Sequence, residues 1–258
     1  MLGAVSCISE SHAAIAISRG GAKKTYAHRD PNEDACGFAF SPAGTVLAVA
    51  DGHAGSDAAQ IAIEYAINQL APRLLAADAA GPADHWRERA VELGLEVHQQ
   101  ILRSVETVAQ YPPRTTLALA VVRPQENQLA WMSVGDSLIF RVDAEGIAAL
   151  GCKPERVVYL GSPRDDHDRL SLGIYAGVTS LEGAQAIALA TDGLSEEGIG
   201  VPDPLEAVRK AIDGAATAET LELRPLDAAR GLAEIANQAH RDQKAGDNIA
   251  TAVTWLLT

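Results

Sequence analysis

Apolar residues in this chain fall into short runs broken by two stretches of helical spacing, and that order predicts its elements. AVSCIS (4–9), HAAIAIS (12–18), ACGFAF (35–40) and TVLAVA (45–50) read as strands. The last two are joined by Ser41-Pro42-Ala43-Gly44, a hairpin signal. From Ser56, a good N-cap residue, Ile63, Ile67, Leu70 and Leu74 recur at helical spacing. Gly81-Pro82 separates this helix from a second over 84–108, with Leu95, His98, Leu102 and Val105 on one side. Strands follow at 115–123, 128–134 and 138–142, the last two joined by the turn Gly135-Asp136-Ser137. Residues 151–184 lack a period and read as an irregular, flap-like segment. Then come a strand at 186–191, helices at 204–213 and 225–242, and a final strand at 249–257.

Strands, two helices, strands and two helices predict an α+β fold: a four-layer α-β-β-α sandwich of two antiparallel sheets flanked by helix pairs. No repeat or linker divides the pattern, so residues 1–258 are expected to form one domain.

The buried-strand pattern also exposes a chemical one. TVLAVA and AIALAT (186–191) are apolar throughout, as strands covered on both faces are, and both end in Asp-Gly: Asp51-Gly52 and Asp192-Gly193. Glu33-Asp34 precedes the strand at 35–40, Asp136 lies in a hairpin turn and Asp247 leads into the last strand. If the 41–44 link closes a hairpin, Glu33, Asp34 and Asp51 meet at one edge. Antiparallel pairing can bring all six acids to one rim. Carboxylates at that density repel one another, and a hard divalent cation relieves the repulsion. All-oxygen ligands select magnesium, manganese or calcium over zinc. Asp213-Gly214 is an internal control: it follows a helical pattern, where glycine is the expected cap.

Composition narrows the partners. Net charge is −13, with no basic stripe to neutralise nucleic acid or an anionic membrane. Cys7, Cys36 and Cys152 are widely spaced and support neither a disulfide framework nor a zinc knuckle. With no long apolar stretch and no signal-peptide pattern, the expectation is a cytoplasmic, monomeric protein.

Arg29-Asp30-Pro31-Asn32-Glu33-Asp34, Asp51-Gly52-His53-Ala54-Gly55, Thr115-Thr116, Gly135-Asp136-Ser137, Thr191-Asp192-Gly193 and Gly246-Asp247-Asn248 resemble, in order and spacing, the motifs of the metal-dependent protein serine/threonine phosphatases of the 2C type, in particular bacterial stand-alone catalytic domains. The resemblance implies hydrolysis of phosphoserine and phosphothreonine in proteins by a hydroxide activated between two manganese or magnesium ions, opposing a serine/threonine kinase. It implies that Asp51 bridges the metals, that Asp192 and Asp247 bind the first, and that the Gly52 carbonyl and Glu33, through water, serve the second. Asp34 would hold a metal-bound water, Arg29 the substrate phosphate, and His53 the proton for the leaving oxygen. Asp136, Asp192 and Glu196 match a third metal site. Leu138 stands where the family often has arginine, and the stretch from Asp136 to Asp192 is short for the family, its flap motifs reduced to Asp166-His167. Two other readings compete: an inactive phosphatase-fold binding module, which loss of metal acids would mark, and a cation-binding structural domain, which needs neither Arg29 nor His53.

Overall fold

The computed structural model describes residues 1–76, 85–105, 111–151 and 157–256. The predicted Gly81-Pro82 break, Cys152 and the outer ends of the 84–108 and 249–257 predictions lie outside them.

Two antiparallel sheets stack face to face. The first holds β1 (Val5–Glu10), β2 (Ala13–Ser18), β9 (Leu138–Asp143), β10 (Ile147–Leu150), β12 (Ala184–Ala190) and β13 (Ile249–Trp255), in the order β1-β2-β13-β12-β9-β10. The second runs β11-β8-β7-β4-β3, from β3 (Ala35–Ser41), β4 (Gly44–Ala50), β7 (Leu117–Arg123), β8 (Gln128–Val134) and β11 (Ile174–Ser180). A short pair, β5 (Gly52–His53) and β6 (Arg114–Thr115), sits beside the second sheet. Helices α1 (Asp57–Tyr65), α2 (Ala71–Leu74) and α3 (Trp86–Ser104) cover that sheet, while α5 (Pro204–Ala216) and α6 (Leu223–Gln243) cover the first. This is the four-layer sandwich that the pattern predicts.

The side-chain period of two explains the layering. In β4, Val46, Ala48 and Ala50 face the helices, while Leu47 and Val49 point between the sheets. β4, β7 and β13 are buried along their whole length, which is why they read as continuous apolar runs. Alanine on both partners (Ala211, Ala229, Ala233, Ala236) lets α5 and α6 lie close on the sheet and on each other.

Several local expectations change. First, residues 151–184 are not wholly irregular: they contain α4 (His167–Gly173) and all of β11, which pairs with β8 from Ile174↔Val134 to Ser180↔Gln128. Asp166 caps α4 by accepting from the Arg169 N–H at 3.0 Å. β11 is an edge strand of small and half-buried residues, so its alternation is weak.

Second, Gly135-Asp136-Ser137 closes no hairpin: β8 and β9 belong to different sheets, and the turn crosses between them. Gly135 has φ +91°, and a Cβ there would lie 2.5 Å from Thr116 Cγ2, so only glycine fits. Third, α3 buries Ala90, Leu93, Gly94, Val97, His98 and Ile101, a face rotated from the predicted one, because its small residues let the helix approach β11. Leu95 and Leu102 are half-buried. Fourth, α5 runs through Gly214 to Ala216, so that glycine is no cap.

The helix expected from Ser56 is interrupted by a wide π turn at Ala66–Leu70 ahead of Pro72, which lacks the N–H an uninterrupted helix needs. The Ser56 hydroxyl does not cap α1. Instead, its N–H and hydroxyl both donate to the Asp30 carboxylate, at 2.9 and 3.0 Å. Those bonds hold the Asp30 carboxyl below its ordinary pKa.

Candidate active site

The β3–β4 hairpin pairs Ala35 with Ala50, so Asp34 and Asp51 emerge side by side. Asp51 is clamped through its backbone. Its N–H donates to Thr116 Oγ1 at 3.0 Å, and its carbonyl accepts from the Thr116 N–H at 2.9 Å and Thr115 Oγ1 at 2.8 Å. The Thr116 and Ser137 hydroxyls share a hydrogen bond of 2.8 Å, tying this clamp to the turn that carries Asp136. Across the cleft, Thr191 closes β12. Its hydroxyl donates to Asp34 Oδ2 at 2.7 Å and accepts from the Ala250 N–H at 2.9 Å, joining the two sheets. The turn behind Asp192 is held by buried His240, whose Nδ1 accepts from the Gly21 N–H at 3.2 Å. Nε2 therefore carries the proton and donates to the Gly193 carbonyl at 2.7 Å.

The result is a convergence of acids. Asp51, Asp136 and Asp192 each present a carboxylate oxygen within 4.8 Å of the others'. Burial and the neighbouring carboxylates raise the pKa of Asp51 and Asp192 far above the ordinary value. Burial, then Asp247, pushes Asp34 up to about 7. The cluster stores repulsion that a cation would relieve.

It lies in a cleft of about 800 Å³ that Arg29, Glu33, Gly52, His53, Glu196 and Asp247 also line. Of the residues predicted for the site, only Asp34 is off its wall. Gly52 must be glycine: a Cβ would sit 2.2 Å from the Glu33 carbonyl. Ala54, two residues on, takes the left-handed conformation at φ +65°, strained for any residue with a Cβ.

Glu33 and Asp247 are engaged differently. Glu33 Oε1 accepts from the N–H groups of Arg29, Asp30 and Gly55, at 3.0, 3.4 and 2.7 Å. Its Oε2 lies 3.5 Å from Lys24 Nζ. Asp247 is 3.8 Å from the same ammonium, and its Oδ1 accepts from the Tyr26 hydroxyl and from the Asn248 N–H at 2.6 Å. Asn248 accepts from the Glu33 N–H at 2.8 Å and donates to the Pro31 carbonyl, binding the 29–33 loop to β13.

His53 Nδ1 stands 3.3 Å from Asp51 Oδ2, an ion-pair distance without hydrogen-bond alignment. Its ring packs on Tyr159, centroids 4.7 Å apart. Burial, then the charge of Arg114, lowers its pKa. The Arg29 guanidinium is exposed and has no ion pair among the described residues.

Sequence reasoning missed Lys24, Tyr26, Arg114 and Tyr159. Arg114 carried a local signal, being next to Thr115-Thr116. Tyr26 and Tyr159 are placed by contacts distant in sequence, the one with Asp247 and the other with His53 and Arg114.

The sandwich and its acidic cleft define a metal-dependent hydrolase of the kind that the motifs suggested. A family model described as protein phosphatase 2C matches residues 23–229. The chain belongs to the protein phosphatase 2C family, metal-dependent hydrolases of phosphoserine and phosphothreonine in proteins. No curated protein matches it in sequence. Among solved structures it is similar to a bacterial serine phosphatase, 19% identical over 96% of this chain and 98% of that one (TM-score 0.67). It is similar also to a serine/threonine phosphatase from Staphylococcus aureus, 19% identical over 97% and 96% (TM-score 0.64). A serine-threonine phosphatase 2C from Toxoplasma gondii is 15% identical over 98% and 99% (TM-score 0.65).

Proposed function

We propose that the cleft dephosphorylates phosphoserine and phosphothreonine side chains using two manganese or magnesium ions, held by Asp51, Asp192 and Asp247 with the Gly52 carbonyl and, less directly, Glu33 and Asp34. A third site takes Asp136, Asp192 and Glu196. The observation that carries this reading is the convergence of Asp51, Asp136 and Asp192, with oxygens within 4.8 Å and the pKa values of Asp51 and Asp192 raised by burial and then by the neighbouring carboxylates. Oxygen-only donors on a water-accessible wall fit a hard divalent cation. When bound, such ions neutralise phosphate charge and bring a water's pKa toward neutrality.

The chain's own groups do the rest. Arg29, exposed and with no ion pair among the described residues, grips the phosphate with its fork of donors. His53 keeps Nδ1 toward Asp51, which leaves Nε2 to give a proton to the leaving oxygen. The Thr116–Ser137 hydroxyl pair holds the turns bearing Asp51 and Asp136 in register.

Phosphorylated proteins are the substrates, with a serine/threonine kinase as the opposing activity. The enzyme works as a single-domain cytoplasmic monomer, without nucleic acid or membrane; no described helix is long and apolar enough to cross one.

The test is phosphate release from a phosphothreonine peptide with manganese and with a chelator, by wild type and His53→Gln. Turnover should require the metal. His53→Gln should lower kcat on the peptide by about 10²-fold, yet change it little on p-nitrophenyl phosphate, whose leaving group needs no proton. Metal-independent turnover defeats the metal reading, and an equal drop on both substrates defeats the acid role.

A further inference from the structure

Arg29 is not the cleft's only cation. Arg114 lines the same wall, on β6, where its backbone pairs with His53. Its guanidinium carbon sits 4.9 Å from the centre of the Tyr159 ring, on which the His53 imidazole also packs. Among the described residues its guanidinium makes no ion pair or hydrogen bond, although Asp51, Asp136 and Asp192 share the cleft with it. An arginine beside so much negative charge would ordinarily be drawn into a salt bridge. Here it lies against an aromatic face instead. It is half-buried, so little side-chain freedom is left to lose when an anion arrives.

Arg29 reaches the same cleft from a different segment of the chain. A Cβ at Gly55 would lie 3.3 Å from Arg29 Cδ, which puts that side chain over the Asp51–Gly55 turn. Two guanidinium groups with no ion pair among the described residues thus line the cleft with the carboxylates, on different elements. One phosphoryl group already offset by bound cations does not require both.

We propose that Arg114 is a specificity-determining residue that binds a second anionic group of the substrate, an acidic side chain next to the phosphorylated residue. The inference rests on the phosphatase reading of the same cleft. Arg114 supplies a charge-assisted, bidentate contact to a carboxylate, and Tyr159 fixes the plane in which it is offered. A peptide with glutamate beside the phosphothreonine should therefore be preferred over its glutamine counterpart. The preference should lie in KM, because the contact is the same in ground and transition states.

The experiment compares two phosphothreonine peptides, flanked on both sides by Glu or by Gln, in manganese. Wild type should favour the Glu peptide about tenfold in kcat/KM, the equivalent of one charge-assisted contact in a partly solvated site. Arg114→Gln should erase the preference by raising KM for the Glu peptide to that of the Gln peptide. Arg114→Glu should invert it, favouring a Lys-flanked peptide. A parallel arm measures binding of uncleavable phosphonate analogues of these peptides by fluorescence anisotropy. It reads the same preference with or without turnover, so failure of the phosphatase reading is seen separately. Equal wild-type affinity for the Glu and Gln peptides overturns the proposal. So does an equal loss on both peptides in Arg114→Gln.

Discussion

One flank of the cleft carries Asp51, Asp136 and Asp192 with no lysine or arginine at ion-pair distance among the described residues. The other carries Glu33 and Asp247, each supplied with internal donors: Lys24 between them, Tyr26 on Asp247, and three backbone N–H groups on Glu33. Both flanks are acidic, and both sit at loop ends of the same sandwich. The first can be neutralised only by protons or by a cation from solution. The second is partly offset, one ammonium serving two carboxylates, and it helps lock the 24–33 loop to the last strand, although Asp247 still adds to the repulsion felt by Asp34 and Asp192. Acid count alone therefore says little about where a metal is needed, whereas the cations missing around the acids say a good deal.

Asp51→Asn breaks the unbalanced flank most directly. It should cut peptide dephosphorylation by more than about 100-fold, since even groups supporting a metal ligand are worth 10–100-fold. Asp192→Asn should behave alike, and calorimetric titration with manganese should show the lost affinity. In chelator, both variants should be as stable as wild type or more so, because an amide removes charge repulsion. Variants that instead unfold would make these acids structural.

Lys24→Met probes the partly offset flank. It leaves Glu33 and Asp247 without their ammonium, whose side chain is only 5% exposed. The metal-free protein should lose about 3 kcal/mol in urea denaturation, as when one partner of a buried ion pair is removed. Manganese should restore more stability to this variant than to wild type. Unchanged metal-free stability would show that the two flanks do not differ as described.

The metal-free protein should also respond to pH. Asp34, Asp51 and Asp192 have folded pKa values above the unfolded carboxyl value, Asp34 at about 7. A carboxyl raised on folding favours the native state while protonated, fully so below about pH 4. Its contribution is lost as pH rises through the folded value. Stability in chelator should thus fall between pH 5 and about pH 8, and saturating manganese should abolish that fall. A flat profile in chelator would show that the first flank stores no repulsion.

Asp213→Asn, in the other Asp-Gly of helix α5, should change stability by less than about 0.5 kcal/mol and leave turnover alone. Its side chain is exposed and only loosely paired with Arg209, at 3.9 Å.

The sequence by itself determined the buried strands, the outer helices and the acidic strand ends. Strands covered on both faces must be apolar throughout, and a helix against a sheet must repeat its apolar face. TVLAVA, AIALAT and the alanine face of α6 could hardly be anything else. Asp34 and Asp51 were legible as neighbours because one hairpin joins them. β11 was not, because an edge strand of small residues needs no strong alternation and takes its register from β8. The crossing of Asp136 between sheets was invisible too, since a short Gly-Asp-Ser link suits a hairpin as well as a bridge. Only tertiary structure brought Asp51, Asp136 and Asp192 together, set Lys24 beside Glu33 and Asp247, and laid Arg114 on Tyr159. Apart from Lys24 and Glu33, nine residues apart, those contacts join residues far apart in the chain, and local spacing carries no information about distances across a sandwich.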